Sequence, residues 1–152
     1  MAAEKKPGWR RQARILAFRV LFEHDLTGHN PAKALEYYLA EEPLPADAAE
    51  FARNLVYGTL AHRAELDEII GRFAPAWPLE QMNAVDKNIL RLALYEVLFE
   101  NQVPVKAAIN EAVELAKLFG TDASPKFVNG VLGAVVRAYG RVPGAPGGVN
   151  NR

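Results

Sequence analysis

Apolar residues recur every three or four positions along most of the chain, a spacing that places them on one face of an α-helix. Residues 9–27 show this pattern through Ile15 and later apolar positions, and Gly28 is expected to end the helix. The pattern returns after Asn30, which is expected to cap a second helix that begins at Pro31. Two further helices are predicted, one after Pro45 that reaches about residue 60 and one over residues 63–73.

The second half of the chain carries the most apolar segment, over residues 85–99. It has two apolar stripes, so we expect a helix that is buried on both sides, with Asn83 as its N-cap. A helix over residues 105–119 should end at a left-handed Gly120, and Ser124 followed by proline opens the last helix. Alternation typical of strands is absent from the sequence. The chain is therefore predicted to be all-α, with about seven helices.

Prolines divide the predicted helices into two groups. Pro75 and Pro78 interrupt the helical pattern between residues 74 and 81, which makes this segment the expected boundary between two subdomains. We expect a basic arm over residues 1–8, one helical domain over residues 9–140 and a disordered tail rich in glycine and proline. The subdomains are expected at about residues 9–73 and 83–140, and the tail at 141–152.

Composition limits the class of protein. The 152 residues are half apolar and contain no cysteine, so disulfides, thiolate metal sites and cysteine nucleophiles are excluded. No apolar run has the length of a secretory signal or a membrane helix. We expect a cytoplasmic protein without membrane association.

The net charge of zero conceals an uneven distribution. Residues 1–14 contain five basic side chains and one acidic side chain, whereas residues 23–50 contain seven acidic side chains and one lysine. This separation suits a protein that presents one surface to a polyanion and another to a basic protein. A solvated helix face with a basic tail explains the charges equally well.

Catalytic motifs are not found. The histidines at positions 24, 29 and 62 lack the spacing of a zinc site, and the chain has neither a phosphate-binding glycine loop nor a serine elbow. We therefore predict a protein that is not an enzyme, with no catalytic residue, no metal and no cofactor.

The sharpest functional signal is a cluster of arginines at the start of the first helix. Arg10 and Arg14 share a helix face, Arg11 lies beside them, and three guanidinium groups can reach neighbouring phosphates. Arg11, Arg14 and Arg19 are expected to point away from the apolar face. A purely solubilising role is the alternative.

A second candidate group surrounds the predicted turn between the last two helices. Lys117 and Lys126 supply positive charge, and Phe127 is either a platform for an unstacked base or part of the core. The first turn of the last helix also presents backbone N–H groups suited to anions.

Four segments of this sequence resemble the NusB family of transcription antitermination factors. They are the Arg-Arg-Gln-Ala-Arg motif at residues 10–14 and the segments at 85–96, 108–117 and 126–132. The likeness extends over about residues 8–138. Gln12 stands where a basic residue is common in the family, and Pro125 replaces a more polar residue.

The resemblance implies two three-helix subdomains joined through a long shared helix. It implies binding to the boxA element of nascent ribosomal RNA together with NusE, a small-subunit ribosomal protein, in support of an RNA polymerase antitermination complex. The family's RNA-binding positions correspond to Arg10, Arg11, Arg14, Lys126 and Phe127, with Lys117 as a neighbouring candidate. The NusE-facing positions correspond to Asp86 at the head of the shared helix and to nearby Glu80.

Two alternatives remain at this point. The same helices are compatible with the RNA-binding domain at the front of an RNA methyltransferase, and with a helical scaffold that self-associates through apolar faces. The sequence does not decide between a monomer and a homodimer.

Overall fold

A computed structural model of the chain describes residues 8–74, 76, 78–100 and 102–139. In this part of the chain the secondary structure is helical and no strand occurs, which confirms the all-α prediction. Residues 1–7 of the expected arm over residues 1–8, and the whole of the expected tail over residues 141–152, lie outside the described residues. Seven α-helices are present among the described residues: α1 (Trp9–Thr27), α2 (Pro31–Glu41), α3 (Ala46–Ala61), α4 (Arg63–Phe73), α5 (Ala84–Tyr95), α6 (Val105–Phe119) and α7 (Ser124–Tyr139).

The chain divides into two compact units, and the first extends to Tyr57. In this unit α1 packs against α2, and α1 ends at Gly28, whose φ of 77° is the left-handed value that favours glycine. The N-cap prediction for α2 is confirmed, because the Asn30 side chain accepts a hydrogen bond of 3.0 Å from the Lys33 amide. Buried apolar residues of all three helices form the core, among them Leu16, Phe18, Leu35, Phe51 and Leu55.

The second unit begins at Gly58 and is built around α5. This helix packs against α4, α6 and α7, and it is buried on both sides as predicted. Ile89, Leu90, Leu92 and Leu94 are each at most 1% exposed. The apolar segment does not continue as an α-helix to Phe99, because Glu96–Glu100 form a π-helical turn that carries Val97 onto Val105 and Ala108.

The boundary between the two units differs from the predicted one. It falls between Tyr57 and Gly58, within α3, and not at the proline segment 74–81. The reason is that α4 packs against α5 and α7, so α4 belongs to the second unit. The helix that continues across the boundary is therefore α3, whereas α5 lies wholly within the second unit.

Gly120 ends α6 for a reason other than the predicted one. Its φ of −97° and ψ of −165° are extended values, so the left-handed expectation is wrong. A β-carbon at this position would lie 2.9 Å from the Ala116 carbonyl oxygen and would also clash with the Ser124 side chain. Close approach of the α6–α7 turn therefore requires glycine here.

Candidate nucleic-acid interface

The arginine cluster occupies the first turns of α1. Gly8 precedes the helix with a left-handed φ of 98°, and its carbonyl oxygen accepts the first helical hydrogen bond, from the Gln12 amide at 2.9 Å. Arg10, Arg11 and Gln12 are exposed. The first turn of α1 contains no acidic residue.

Arg14 is buried, which corrects the expectation that it points away from the apolar face. Only 3% of the residue is exposed, and its guanidinium Cζ lies 5.3 Å from the centroid of the Phe51 ring on α3. Arg10, one turn earlier, places its Cζ 4.6 Å from the same centroid. Two guanidinium groups thus share one aromatic ring, an arrangement stabilised by attraction to the π-system. Phe51 was not a candidate from the sequence, because local periodicity does not show which helix faces the arginines.

The other predicted RNA-binding residues belong to the second unit. Lys117 is exposed near the end of α6, and its Nζ lies 3.1 Å from Glu114 Oε2. Lys126 is exposed in the first turn of α7, and this turn contains no acidic residue. Phe127 is half-buried, so it is neither a fully exposed platform nor a sealed core residue.

Phe127 lines a cleft of about 260 Å³, which we call the α5–α7 cleft. The cleft lies between the 3-10 turn Leu79–Gln81, the start of α5 and the α6–α7 turn. Asp86 also lines it, so the structure brings together two residues that were expected to serve different ligands. Met82 and Thr121 complete its walls, and neither was a candidate from the sequence.

Asp86 pairs with Asn83, the N-cap of α5, and among the described residues one of its carboxylate oxygens has no partner. The Asn83 side chain accepts a hydrogen bond of 2.8 Å from the Asp86 amide and donates one of 3.0 Å to Asp86 Oδ2, so the predicted cap is confirmed. Only 6% of Asp86 is exposed, and among the described residues Oδ1 is buried without a hydrogen-bond partner. Glu80 is exposed on the adjoining 3-10 turn.

Some of the carboxylates in the acidic segment, residues 23–50, have hydrogen-bond or ion-pair partners within the first unit. Arg53 donates hydrogen bonds of 3.1 and 3.3 Å to the Glu36 carboxylate and also lies 3.7 Å from Glu50. The hydrogen bonds from Arg53 lower the pKa of Glu36 below its usual value. The Tyr38 hydroxyl and the His29 ring likewise lower the pKa of the Glu23 carboxyl through hydrogen bonds. These carboxylates therefore serve partly as internal partners.

The described residues do not contain a group of three histidine or acidic side chains placed to hold a metal ion. His62 lies against the Phe99 ring, with centroids 4.0 Å apart, and its Nδ1 is 2.9 Å from Glu65 Oε1. None of the described helices has the length and apolarity needed to cross a membrane.

The fold and the candidate interface define a class of all-helical proteins. In this class, basic residues stand at the start of the first helix, and a second helical unit contains a cleft lined by an aromatic and an acidic side chain. Residues 11–137 match the profile of the NusB family. The transcription antitermination protein NusB of Chloroflexus aggregans is 54% identical over 132 residues, which cover 86% of this chain and 88% of that relative. The Roseiflexus sp. protein of the same name is 52% identical and covers 86% and 93% of the two chains.

Solved structures agree with the sequence comparison. NusB of T. maritima superposes with a TM-score of 0.80 at 38% identity, covering 88% of this chain and 92% of that chain. A chain from the crystal structure of antitermination factors NusB and NusE in complex with dsRNA gives a TM-score of 0.80 at 32% identity, covering 88% and 100%. The protein belongs to the NusB family.

Proposed function

We propose that this protein is a non-enzymatic RNA-binding transcription antitermination factor. In this proposal it binds the boxA element of nascent ribosomal RNA together with NusE, in the cytoplasm, and supports the antitermination complex on RNA polymerase. The observation that carries the RNA-binding part is the pair of exposed arginines, Arg10 and Arg11, at the start of α1. The antitermination part rests on membership of the NusB family.

The arginines divide the work of RNA binding in this proposal. Arg10 and Arg11 hold phosphates, because exposed guanidinium forks bind phosphate oxygens bidentately and release condensed counterions. Arg14 lies over Phe51 next to Arg10, so it restricts the motion of the Arg10 side chain and acts mainly as a support.

The second unit contributes stacking and further charge. Lys126 contacts a phosphate, and Lys117 adds weaker positive charge because Glu114 partly neutralises it. Phe127 presents its accessible part to a base, since bases of single-stranded RNA stack on aromatic side chains.

NusE binds at the α5–α7 cleft in this proposal. A buried carboxylate oxygen without a hydrogen bond costs on the order of 1–3 kcal/mol, and a donor from a protein partner would remove that cost. Asp86 is therefore the central contact, and exposed Glu80 adds negative charge at the rim for a basic partner.

Fluorescence anisotropy with boxA RNA and a scrambled RNA, at several salt concentrations, tests the RNA-binding part. Each phosphate contact to a single strand contributes roughly 0.7 to the slope of log affinity against log salt, so Arg10→Ala/Arg11→Ala should lower that slope by about 1.4. Lys33→Ala/Lys106→Ala removes the same charge from exposed positions elsewhere and should leave the slope unchanged. An unaltered slope in the arginine variant would reject the assignment.

A pull-down with NusE tests the partner site. Asp86→Asn removes the charge while it keeps the size of the side chain, and should weaken the NusE complex without changing RNA binding by the protein alone. Asp122→Asn, at an exposed position in the α6–α7 turn, is the matched control. Equal capture of NusE by both variants would place the partner elsewhere.

A further inference from the structure

The last helix, α7, differs in charge from the other six described helices. Its sequence contains no acidic residue, whereas each of the other six contains at least one. It contains two basic residues, Lys126 in its first turn and Arg137 in its last turn, and both are exposed. The helix is therefore a positively charged element in a chain whose net charge is zero.

The two basic residues of α7 lie on the same face of the helix. At about 100° per residue, Lys126 and Arg137 are only about 20° apart around the helix axis, and Gly130 and Gly133 lie within about 40° of Lys126. This face points away from the core, because the buried residues of α7 lie on the opposite side of the helix. We call these four residues the α7 stripe.

The Arg137 side chain lies along the α7 stripe. A β-carbon at Gly133 would be 3.3 Å from Arg137 Nη1, so the guanidinium group is folded back over Gly133 toward the start of the helix. The Cα atoms of Lys126 and Arg137 are about 16 Å apart at 1.5 Å per residue, and the folded arginine shortens the gap between the two charges. Two cations at this separation suit two phosphates of one nucleic-acid strand better than a single small anion.

Gly130 leaves the middle of the α7 stripe open. A β-carbon at this position would meet no atom within 4 Å, and Gly130 does not have a positive φ. Neither packing nor backbone conformation therefore requires glycine here, although glycine within a helix is less favourable than alanine. The missing side chain does allow the backbone of a ligand to approach the helix closely, between the two cations. Asn129, which is exposed beside Gly130, offers an amide donor to a phosphate oxygen.

A purely structural role accounts for only part of the α7 stripe. A cation in the last turn of a helix interacts favourably with the helix dipole, which would explain Arg137. The same dipole disfavours a cation in the first turn, where Lys126 lies. It also gives no reason for an open glycine between the two cations.

We infer that the RNA strand continues from Lys126 along the α7 stripe and that Arg137 is a further phosphate-binding residue. The sugar–phosphate backbone lies against Gly130, and Asn129 donates a hydrogen bond to it. The inference rests on the proposed RNA-binding function, in which Lys126 contacts a phosphate. Because these contacts are to phosphates, the stripe lengthens the bound strand without reading its bases.

Fluorescence anisotropy with boxA oligonucleotides of different lengths tests the inference on the full-length protein. Arg137→Gln should lower the slope of log affinity against log salt by about 0.7, so its deficit in affinity should shrink roughly 2- to 3-fold between about 50 and 200 mM salt. Lys33→Gln, at an exposed position of α2, is the matched control and should leave the slope unchanged. Removal of a few flanking nucleotides from one end of the RNA should abolish the difference between Arg137→Gln and the unaltered protein, and removal from the other end should preserve it.

A side chain at position 130 should block the close approach of the strand. Gly130→Gln adds a side chain where the free protein has open space, so the fold should be retained and the salt slope should fall as it does in Arg137→Gln. The double variant should have the slope of Gly130→Gln alone, because the displaced strand no longer reaches Arg137. Ala40→Gln adds the same side chain at an exposed position of α2 and should leave the slope unchanged. Additive losses in the double variant would overturn the path over Gly130.

The outcomes separate this inference from the proposed function. If Arg10→Ala/Arg11→Ala lowers the salt slope but Arg137→Gln lowers only the melting temperature, Arg137 stabilises the helix end and the inference alone is wrong. If Arg137→Gln weakens capture of NusE and leaves the slope unchanged, the α7 stripe serves a protein and the inference is overturned. If the unaltered protein does not prefer boxA to scrambled RNA, the proposed function fails, whereas a slope that still depends on Arg137 would keep the stripe as an RNA-binding surface.

Discussion

The Arg14 guanidinium lies over the Phe51 ring, with Cζ 5.3 Å from the ring centroid, and Arg14 is 3% exposed. A residue whose type and position are typical of an RNA contact is thus placed in the interior of the first unit. Because the attraction between a cation and a ring grows when water is excluded, this contact stabilises the fold as well as the neighbouring Arg10.

Arg14→Ala should therefore act mainly on stability. We expect the free energy of unfolding to fall by about 1–2 kcal/mol, through the lost cation–π contact and the lost packing of the side-chain stem. Arg11→Ala, at an exposed position, should change it by less than about 0.5 kcal/mol. Urea denaturation measures both. If Arg14→Ala is as stable as the unaltered protein and lowers the salt slope as Arg11→Ala does, Arg14 is a phosphate contact after all.

Among the polar interactions of the second unit, the ion pair between Arg91 and Asp67 should cause the largest loss of stability when one partner is removed. Arg91 Nε and Nη2 donate to the two carboxylate oxygens of Asp67 at 2.7 and 3.0 Å, and the Arg91 side chain is 4% exposed. Asp67→Ala should cost about 3–5 kcal/mol because it leaves a buried charge without its carboxylate. Glu68→Ala breaks an exposed pair with Arg72 and should cost less than about 1 kcal/mol. Similar losses in thermal denaturation would contradict this difference.

Replacement of two glycines by alanine should change the stability of the protein in opposite directions. A β-carbon at Gly58 would clash with the ring of buried Tyr95, so Gly58→Ala should destabilise the protein by about 1–3 kcal/mol. A β-carbon at Gly130, within α7, meets nothing within 4 Å, so Gly130→Ala should stabilise it by roughly 0.4–1 kcal/mol. Differential scanning calorimetry gives the sign of each change. A stable Gly58→Ala variant would mean that the Tyr95 ring can move aside.

Acid should weaken the first unit through Glu23. Its folded-state pKa lies below the ordinary 4.5 because Tyr38 and His29 hydrogen-bond to the carboxylate. A lowered pKa contributes stability that is fully present above the unfolded value and is lost as the pH falls through the folded value. We expect unfolding free energy to decline below about pH 4.5 and the decline to be smaller in Tyr38→Phe. Urea titrations between pH 3 and 7 measure this, and identical pH profiles would contradict it.

Much of the fold could be predicted from the sequence. Helical periodicity, glycine stops and side-chain caps are local signals, and they placed α1, α4 and α6 at the bounds that the structure has. The arginine motif and the segment that includes Phe127 were also found locally, because their residue types and spacing are characteristic. The boundary between the two units was not found from local signals. A proline indicates a break in a helix, but it does not indicate which helices pack together.

The candidate sites show the same division. The sequence by itself determined which charged and aromatic residues the helices carry, and at what spacing. Only the tertiary structure decided that Arg14 is buried on Phe51, that Asp86 shares a cleft with Phe127, and that Gly130 lies in open space. The physical reason is that burial and long-range contacts depend on which helix faces meet. Local periodicity determines which face of a helix is apolar, but it does not determine which helix packs against that face.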